Sequence, residues 1–451
     1  MRIFFGPTEV AGYYSSLRRG LEAEGIDVMF ADFSTNERKY DDGERSVVVR
    51  SVRGIERMAS AIPSRHRRLH AIAHHAVSPA RVALFLWAAL RCDVFVYAYG
   101  STITFHPEWE LRVLRRLGRR IIFSFHGSDS RPPYLGHPWI SGDAASAFDS
   151  CAELAAQIKA TVRLARRYAD AITENPFSAH FHVGPCVNAL VYGNPCPPVD
   201  ESVAVGRSEN GPIRILHSPS DPRVKGTDVI RLAVAAVKAR GRDIEYIELV
   251  GKSHAEVIEE IARCDFVIDQ AYSDTPMALF ATEAAGLGKP VIVGGYITPR
   301  EMATYIRPEW LPPVYYCHPS NLVDAVDKLC TDVAFRRELG ERAQAFVQRE
   351  RNPRTVAQRF LLIAKNQIPA EWLFDPLELE YVHGLGEEGH IRQLIRGVVE
   401  YGGVSALQLD DNPSVRAKIL AFGGVTDESP TDGPRDLEPA SVRRIDGRGP
   451  C

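Results

Sequence analysis

The first half of the chain alternates short apolar runs with stretches of helical period. The apolar runs predict strands at residues 2–5, 27–33, 93–99, 121–125 and 171–173. Between them, the period predicts a helix that ends near residue 24 and helices at 82–90, 111–118 and 144–168. Strands that alternate with helices favour a parallel sheet with helices on both faces.

A polar stretch with prolines interrupts this alternation, and a second series follows it. Residues 195–211 are therefore predicted to be an interdomain linker. Beyond it, strands are predicted at 213–217, 244–250, 266–269 and 290–294, and helices at 228–239, 254–262, 278–287, 321–329 and 333–350. The predicted fold class is α/β, with two Rossmann-like, doubly wound parallel-sheet domains. Ligands of such sheets bind outside the carboxyl ends of the strands, here in the cleft between the domains.

The domain prediction follows from these patterns. Residues 1–194 and 212–364 are expected to form the two domains, on either side of the linker. Residues 365–410 keep aromatic and apolar side chains, which predicts an extension that packs back on the body. Residues 411–451 are predicted to be a disordered tail, because their last part is rich in Pro, Gly, Asp and Arg.

Composition and charge exclude several classes of protein. A chain of 451 residues is too long for one ordinary core, and its net charge of −3 argues against a general nucleic-acid binder. No apolar run is long enough to span a membrane, and the start of the chain does not have the pattern of a signal peptide. The expectation is a cytoplasmic protein. Eight cysteines without a Cys-x-x-Cys pair predict neither a zinc site nor a disulfide framework.

The N-terminal region is nevertheless basic. Residues 1–120 hold nineteen Arg and Lys against thirteen Asp and Glu. Arg112, Arg115, Arg116 and Arg119 have the spacing of one stripe on a helix. A solvated face is the usual meaning of such a stripe. Peripheral contact with an anionic membrane or an acidic acceptor is the alternative, and the basic cluster at residues 65–68 favours it.

Two segments of the second half carry candidate chemistry. The loop at residues 218–227 joins a strand to a helix, so its backbone N–H groups, the helix N-terminus and Lys225 suit a phosphate, and Gly226 allows close approach. A solvated turn with a surface lysine is the alternative. Glu283 lies inside an otherwise apolar helix, where an unpaired carboxylate would cost several kcal/mol. Its partner is either a ribose diol or an internal Arg, Lys or backbone amide.

From about residue 212 to 364, the sequence resembles the C-terminal domain of the retaining nucleotide-sugar glycosyltransferases with the GT-B fold, in the large family numbered four. The resemblance rests on Lys225-Gly226, on the run Glu283-Ala284-Ala285-Gly286-Leu287-Gly288-Lys289-Pro290-Val291, and on the stretch at 251–265 between them. It implies a UDP-, GDP- or dTDP-sugar as donor substrate, retention of anomeric configuration and no cofactor. It also implies a donor site that includes Gly251, Lys252, Met277, Leu279 and Glu283.

Two departures from the family's pattern concern the same site. The family's phosphate-binding arginine falls on Ser220, with Arg223 nearby as a substitute. The family's first glutamate falls on Thr275, beside Asp274. Pro276 and Ala278 stand where glycines bring backbone amides to the sugar.

In the first half, the resemblance is one of architecture. The family has a glycine loop after its first strand, where this chain has Gly12, and a histidine near the reacting sugar, where it has His126. His126 and Lys225 are therefore the residues expected to act in catalysis. A histidine that caps a backbone carbonyl is an equally weighted alternative for His126.

The sequence therefore predicts a glycosyltransferase that moves a sugar from a nucleotide-sugar donor to an unidentified acceptor. No Asp-x-Asp motif lies in a suitable loop, so no metal is expected. The alternatives are a GT-B epimerase or phosphorylase, and a catalytically silent protein that binds nucleotide sugars. A dinucleotide-dependent oxidoreductase is disfavoured, because no Gly-x-Gly-x-x-Gly follows either first strand.

Overall fold

The computed structural model describes residues 1–33, 46–60, 67–136, 144–196 and 211–426. Within these ranges the strands are β1 Arg2–Gly6, β2 Asp27–Phe30, β3 Val94–Ala98, β4 Arg120–Ser124, β5 Ala171–Glu174, β6 Cys186–Asn188, β7 Ile213–His217, β8 Ile244–Glu248, β9 Phe266–Gln270, β10 Val291–Gly294, β11 Tyr315–Cys317 and β12 Leu373–Phe374. The helices are α1 Tyr13–Ala23, α2 Val47–Ser60, α3 Arg67–Ala89, α4 Pro107–Arg116, α5 Ala144–Tyr168, α6 Ala189–Tyr192, α7 Thr227–Ala239, α8 His254–Arg263, α9 Leu279–Gly286, α10 Pro299–Tyr305, α11 Leu322–Thr331, α12 Val333–Glu350, α13 Pro353–Ala364, α14 Glu388–Gly402 and α15 Pro413–Gly423.

The strands form two sheets. The first has the order β12-β6-β5-β4-β3-β1-β2 and is parallel except for β12, which pairs antiparallel with β6. The second has the order β11-β10-β9-β7-β8, and all its strands are parallel. The predicted fold class, two Rossmann-like parallel-sheet domains, is confirmed.

Alternate residues along the strands pack into hydrophobic cores on opposite faces of each sheet. In the first sheet, Phe4 and Phe95 pack on one face, together with side chains of α3, α4 and α5. Phe5 and Val96, which are register partners, pack on the other face with α1 and α13. Helices therefore cover both faces, which is why the central strands are apolar at nearly every position.

The C-terminal segment crosses back to the first sheet. The ring of Phe360 on α13 lies 5.8 Å from that of Phe5, and Arg120 donates to the carbonyl of Ile363 at 2.8 Å. At Gly20 of α1, a Cβ would come within 2.0 Å of the carbonyl oxygen of Pro353, so only glycine permits this packing. The predicted domain boundary at residue 364 is therefore too late, since α13 lies on the N-terminal half.

The extension contains more structure than the sequence predicted. Helix α14 packs against α5, and Tyr134 donates to the carbonyl of Leu407 at 2.9 Å. The prediction of a tail from residue 411 is wrong for α15, whose N-cap Asn412 is fully buried and accepts from the backbone of Val415. Residues 427–451 of that predicted tail, and residues 197–210 of the predicted linker, lie outside the described residues.

Most arginines of the predicted basic stripe have partners within the protein. Arg112 donates to Glu108 and to the hydroxyl of Tyr168, and Arg115 lies 2.6 Å from Asp170. Arg119 lies beyond the end of the helix and donates to the carbonyl of Ala89. These pairs favour the solvated-face interpretation. Residues 65 and 66 of the basic cluster lie outside the described residues. Within the described ranges, no helix is long and apolar enough to cross a bilayer.

Candidate functional site

The carboxyl ends of the two sheets meet in one cleft. In the second sheet the chain switches direction at β7, which lies between β8 and β9, so the loops after β7 and β9 flank the crevice where ligands of such sheets bind. The cleft is lined by Ala11 from the loop after β1 and, from the second half, by Ser218, His254, Val257, Leu279, Phe280 and Glu283. Of the predicted site residues, Leu279 and Glu283 line it.

The loop after β1 is held by one buried carboxylate. Glu9 accepts hydrogen bonds from the backbone N–H groups of Val10, Tyr14 and Ser15 at 2.8, 3.0 and 2.9 Å. It thereby satisfies the free N–H groups at the start of α1. The predicted loop glycine, Gly12, precedes α1 with a φ of 86° and so forms the turn. Glu9 occupies the helix N-terminus, and the contribution of Gly12 to the donor site stays a prediction.

Glu283 has the partner that its position in an apolar helix demands. Its Oε1 lies 2.7 Å from Nε2 of His254, the first residue of α8, and its side chain is 12% exposed. An internal partner therefore exists, and it is a histidine rather than the predicted Arg, Lys or backbone amide. Among the described residues, none hydrogen-bonds Oε2 of Glu283. The protein thus fixes one of the two carboxylate oxygens.

Lys225 lies at the switch point of the second sheet. Its Nζ donates to Oε1 of Gln270 at 2.6 Å and lies 3.5 Å from Oδ1 of Asp269. Asp269 is buried, and its Oδ2 has no partner in the described part of the chain. Gly226 has a φ of 65°, and a Cβ there would lie 2.7 Å from that of Ala271. The loop after β7 is therefore pressed against the loop after β9, with the ammonium group between them.

The other predicted donor-site residues of the loops after β7 and β8 are exposed or half-buried. Arg223 is exposed and donates to Oδ2 of Asp221 at 3.0 Å. Lys252, which follows the exposed Gly251, lies 3.2 Å from Glu256 on the same helix end. Ser220 is half-buried in the loop after β7. None of these four residues lines the cleft as the structure describes it.

The loop after β9 is tied to the first half of the molecule. Asp274, predicted as a donor ligand, pairs with Arg131: Nε lies 3.0 Å from Oδ2, and both side chains are buried. The carbonyl of Asp274 accepts from the side chain of Asn175 at 2.8 Å. Arg131 holds Oδ2 of the Asp274 carboxylate, and the expectation that Asp274 binds the donor stays a prediction.

The remaining predicted residues continue the same loop into α9. The backbone of Thr275 bonds to the hydroxyl of Ser273, and Met277 is buried. Ala278 is the N-cap of α9 and offers no side-chain cap, while Leu279 begins the helix and lines the cleft. The first N–H groups of α9 therefore lack a side-chain acceptor from their own N-cap.

His126 follows β4 and lies against α1. Its Nε2 lies 2.8 Å from the hydroxyl of Tyr14, and its ring makes edge contacts with those of Tyr13 and Tyr14. The carbonyl-capping alternative is therefore wrong, since the observed partner is a phenol. Burial lowers the pKa of His126 to about 4. The ring is neutral at pH 7 and can donate or accept through its tautomers.

Sequence reasoning missed a buried acidic group behind His126. Asp129 accepts from the backbone N–H of His126 at 2.8 Å, and its Oδ2 has no partner among the described residues. Burial and the Glu174 carboxylate raise the pKa of Asp129 to about 7. Glu174 in turn lies 3.2 Å from His182. The signal in the sequence was a pair of acidic residues at the carboxyl ends of neighbouring strands: Asp129 follows β4, and Glu174 is the last residue of β5.

Solved structures resemble this chain in fold. No family model and no curated protein matches its sequence. HepE from Anabaena, solved in complex with UDP-glucose, is 11% identical, with a TM-score of 0.47 over 81% of this chain and 99% of that chain. The glycosyltransferase SnogD from Streptomyces nogalater is 13% identical, with a TM-score of 0.39 over 80% and 99%. The calicheamicin glycosyltransferase CalG4 is 13% identical, with a TM-score of 0.38 over 82% and 99%.

Proposed function

We propose that this protein is a glycosyltransferase that moves a sugar from a nucleotide-sugar donor, with retention of configuration. The observation that carries the proposal is Glu283, an almost buried carboxylate in the interdomain cleft. One of its oxygens is held by His254, and the other has no partner among the described residues. Vicinal hydroxyls of a ribose donate hydrogen bonds, and an ionised carboxylate accepts them strongly.

Stabilisation of the leaving group is assigned to the crevice beside Glu283. When the glycosidic bond of a nucleotide sugar breaks, negative charge grows on the diphosphate. Lys225 at the switch point and the first N–H groups of α9, whose N-cap Ala278 has no capping side chain, supply positive potential there. These groups act without a metal ion.

The acceptor side is assigned to the first half of the chain. His126 lies at the carboxyl end of β4, and its neutral ring is held by Tyr14. A neutral imidazole can hydrogen-bond sugar hydroxyls without placing a full charge in the cleft. His126 is therefore proposed to orient the transferred sugar.

The test begins with the donor. UDP-, GDP- and dTDP-glucose are screened by thermal shift, and the binder is incubated with an acceptor panel while release of nucleoside diphosphate is measured. Release that depends on an acceptor supports transfer, and NMR of the product gives its anomeric configuration. If none of the three donors or their free diphosphates shifts the melting temperature, the proposal fails.

A catalytically silent nucleotide-sugar-binding protein is the second candidate. The buried pair of Arg131 and Asp274 favours it, because this pair engages the carboxylate next to the position of the family's first glutamate. Saturable donor binding without release of diphosphate, with every acceptor and in water alone, would select this candidate.

A further inference from the structure

Helix α8 begins at a fixed position beside the cleft. Ser253 and Glu256 form a capping box: the Ser253 hydroxyl accepts from the Glu256 backbone N–H at 3.4 Å, and the Glu256 carboxylate accepts from the Ser253 N–H at 2.9 Å. The box satisfies N–H groups at the helix start and sets the direction in which the chain enters it. His254 is the first residue of α8, so its backbone is anchored.

Two helix faces meet at the pair of His254 and Glu283. On α8, His254 and Val257 are one turn apart, and both line the cleft. On α9, Leu279 and Phe280 lie one turn before Glu283 and line it as well. The polar pair is therefore set in an apolar wall, where a hydrogen bond is stronger than in water.

A carboxylate that must meet two vicinal hydroxyls needs a defined orientation. A glutamate side chain loses rotamer freedom when it is fixed, and a side chain that is fixed beforehand does not lose that freedom again when it binds a ligand. His254 Nε2, at 2.7 Å from Oε1, fixes the carboxylate before any ligand arrives. His254 is also partly exposed, with 32% of its side chain accessible, so the pair lies at the surface of the cleft rather than in the core.

We infer that His254 is a positioning residue for nucleotide recognition: it orients Glu283 so that Oε2 accepts from the sugar hydroxyls of a nucleoside diphosphate. The inference rests on the proposed function. If His254 only joined α8 to α9, its removal would destabilise the fold but would leave the discrimination between ribose and dideoxyribose unchanged.

The experiment measures that discrimination. UDP and GDP, each against its 2′,3′-dideoxy form, and dTDP, which has only a 3′-hydroxyl, against its 3′-deoxy form, are titrated by calorimetry into the wild type, His254→Ala and His254→Gln. His390→Ala is the matched control, because His390 is an exposed histidine on α14. Melting temperatures without ligand are measured for all four proteins.

The wild type and the control are expected to prefer the hydroxylated form by about tenfold or more. His254→Ala is expected to lose most of this preference through weaker binding of the hydroxylated form, and His254→Gln, which keeps a donor, to retain part of it. Equal weakening of both forms in His254→Ala, or an unchanged preference, overturns the inference and leaves the proposed function intact. Absence of binding of all three nucleotides to the wild type overturns both.

Discussion

Arg131 and Asp274 form a buried ion pair between the two halves of the molecule, with Nε of Arg131 3.0 Å from Oδ2 of Asp274. The arginine follows β4 and the aspartate follows β9, so the pair joins the carboxyl ends of both sheets. Two charges taken out of water are costly unless they remain paired. The pair therefore favours the arrangement in which the cleft is closed at this point.

Removal of one partner is expected to destabilise this arrangement strongly. Asp274→Asn should cost about 3–5 kcal/mol, because it leaves the guanidinium buried without its counter-charge, and Arg131→Met combined with Asp274→Leu should cost less. Differential scanning calorimetry measures the melting temperatures. Glu338→Gln, which breaks an exposed Glu–Arg pair on α12, is the control and should have little effect. A double variant less stable than Asp274→Asn would contradict the expectation.

The pattern of apolar and polar residues predicted the helices and strands better than it predicted the hydrogen-bond partners of the site residues. The strand predicted at 213–217 coincides with β7, and most helices of the second half begin or end within a few residues of their predicted limits. These elements have strong apolar periods and clear breaks. Helix α10 and the strands β6 and β11 were not predicted because they are only seven, three and three residues long. Helix α2 was also missed, although its apolar residues have a clear helical period.

The partners of the site residues depend on tertiary contacts that a local pattern does not contain. Arg131 and Asp274 are 143 positions apart, and His254 and Glu283 are 29 apart. The apolar surroundings of Glu283 predicted that a partner must exist. They did not predict which of many polar side chains would be brought to it by the packing of α8 on α9.

Lys225 is expected to contribute strongly to binding of the donor diphosphate. A charge-assisted hydrogen bond to phosphate is worth about 1.5–3 kcal/mol, so Lys225→Ala should weaken binding of nucleoside diphosphate by about tenfold or more. Lys238→Ala, which removes an exposed lysine from the end of α7, is the matched control. Calorimetry with UDP, GDP and dTDP checks the prediction. Equal affinity of Lys225→Ala and the control would remove the phosphate assignment.

Substitution of Lys252 tests whether the resemblance to the nucleotide-sugar glycosyltransferases extends to the loop after β8. The ammonium group of Lys252 is exposed and lies 3.2 Å from the carboxylate of Glu256. Lys252→Ala is therefore expected to change nucleotide affinity by less than about threefold. A loss as large as that of Lys225→Ala would show that the loop at residues 251–253 closes over the ligand.

Asp129 should make the stability of the folded protein depend on pH. Burial, with the Glu174 carboxylate, raises its pKa from 3.8 to about 7. Between these values the folded protein binds a proton that the unfolded chain does not. The resulting stability is fully present below the unfolded pKa of 3.8 and is lost progressively as the pH rises from there to about 7. When Asp129 is fully ionised in the folded protein, the stability lost amounts to about 4 kcal/mol.

Asp129→Asn should remove this dependence, because the amide oxygen still accepts from the N–H of His126 and carries no charge. The melting temperature of the variant is expected to exceed that of the wild type by a larger margin at pH 8 than at pH 5, because at pH 5 the wild type has lost only part of the stability that Asp129 contributes. Buried histidines such as His180 and His217, whose pKa burial lowers to about 4, titrate in both proteins and cancel in the difference. The same difference at both pH values would contradict the prediction.

Transfer is expected to be independent of metal ions, since Lys225 and the start of α9 are assigned to the diphosphate. Activity measured as release of nucleoside diphosphate should survive dialysis against EDTA. Loss of activity with recovery on addition of magnesium or manganese would show that a cation neutralises the diphosphate instead.

The most direct test of the central claim is calorimetry of nucleotide binding to Glu283→Gln. The amide is nearly isosteric and still accepts from His254, so the melting temperature without ligand should not change. Affinity for the best of UDP, GDP and dTDP should fall by about tenfold or more, on the order of 1.5 kcal/mol, because an amide reproduces only part of a carboxylate's bonds to the sugar hydroxyls. Glu259→Gln, at an exposed position of α8, should match the wild type. A lower melting temperature with unchanged nucleotide affinity would show instead that Glu283 is a structural carboxylate, and would contradict the assignment of the cleft to a nucleotide-sugar donor.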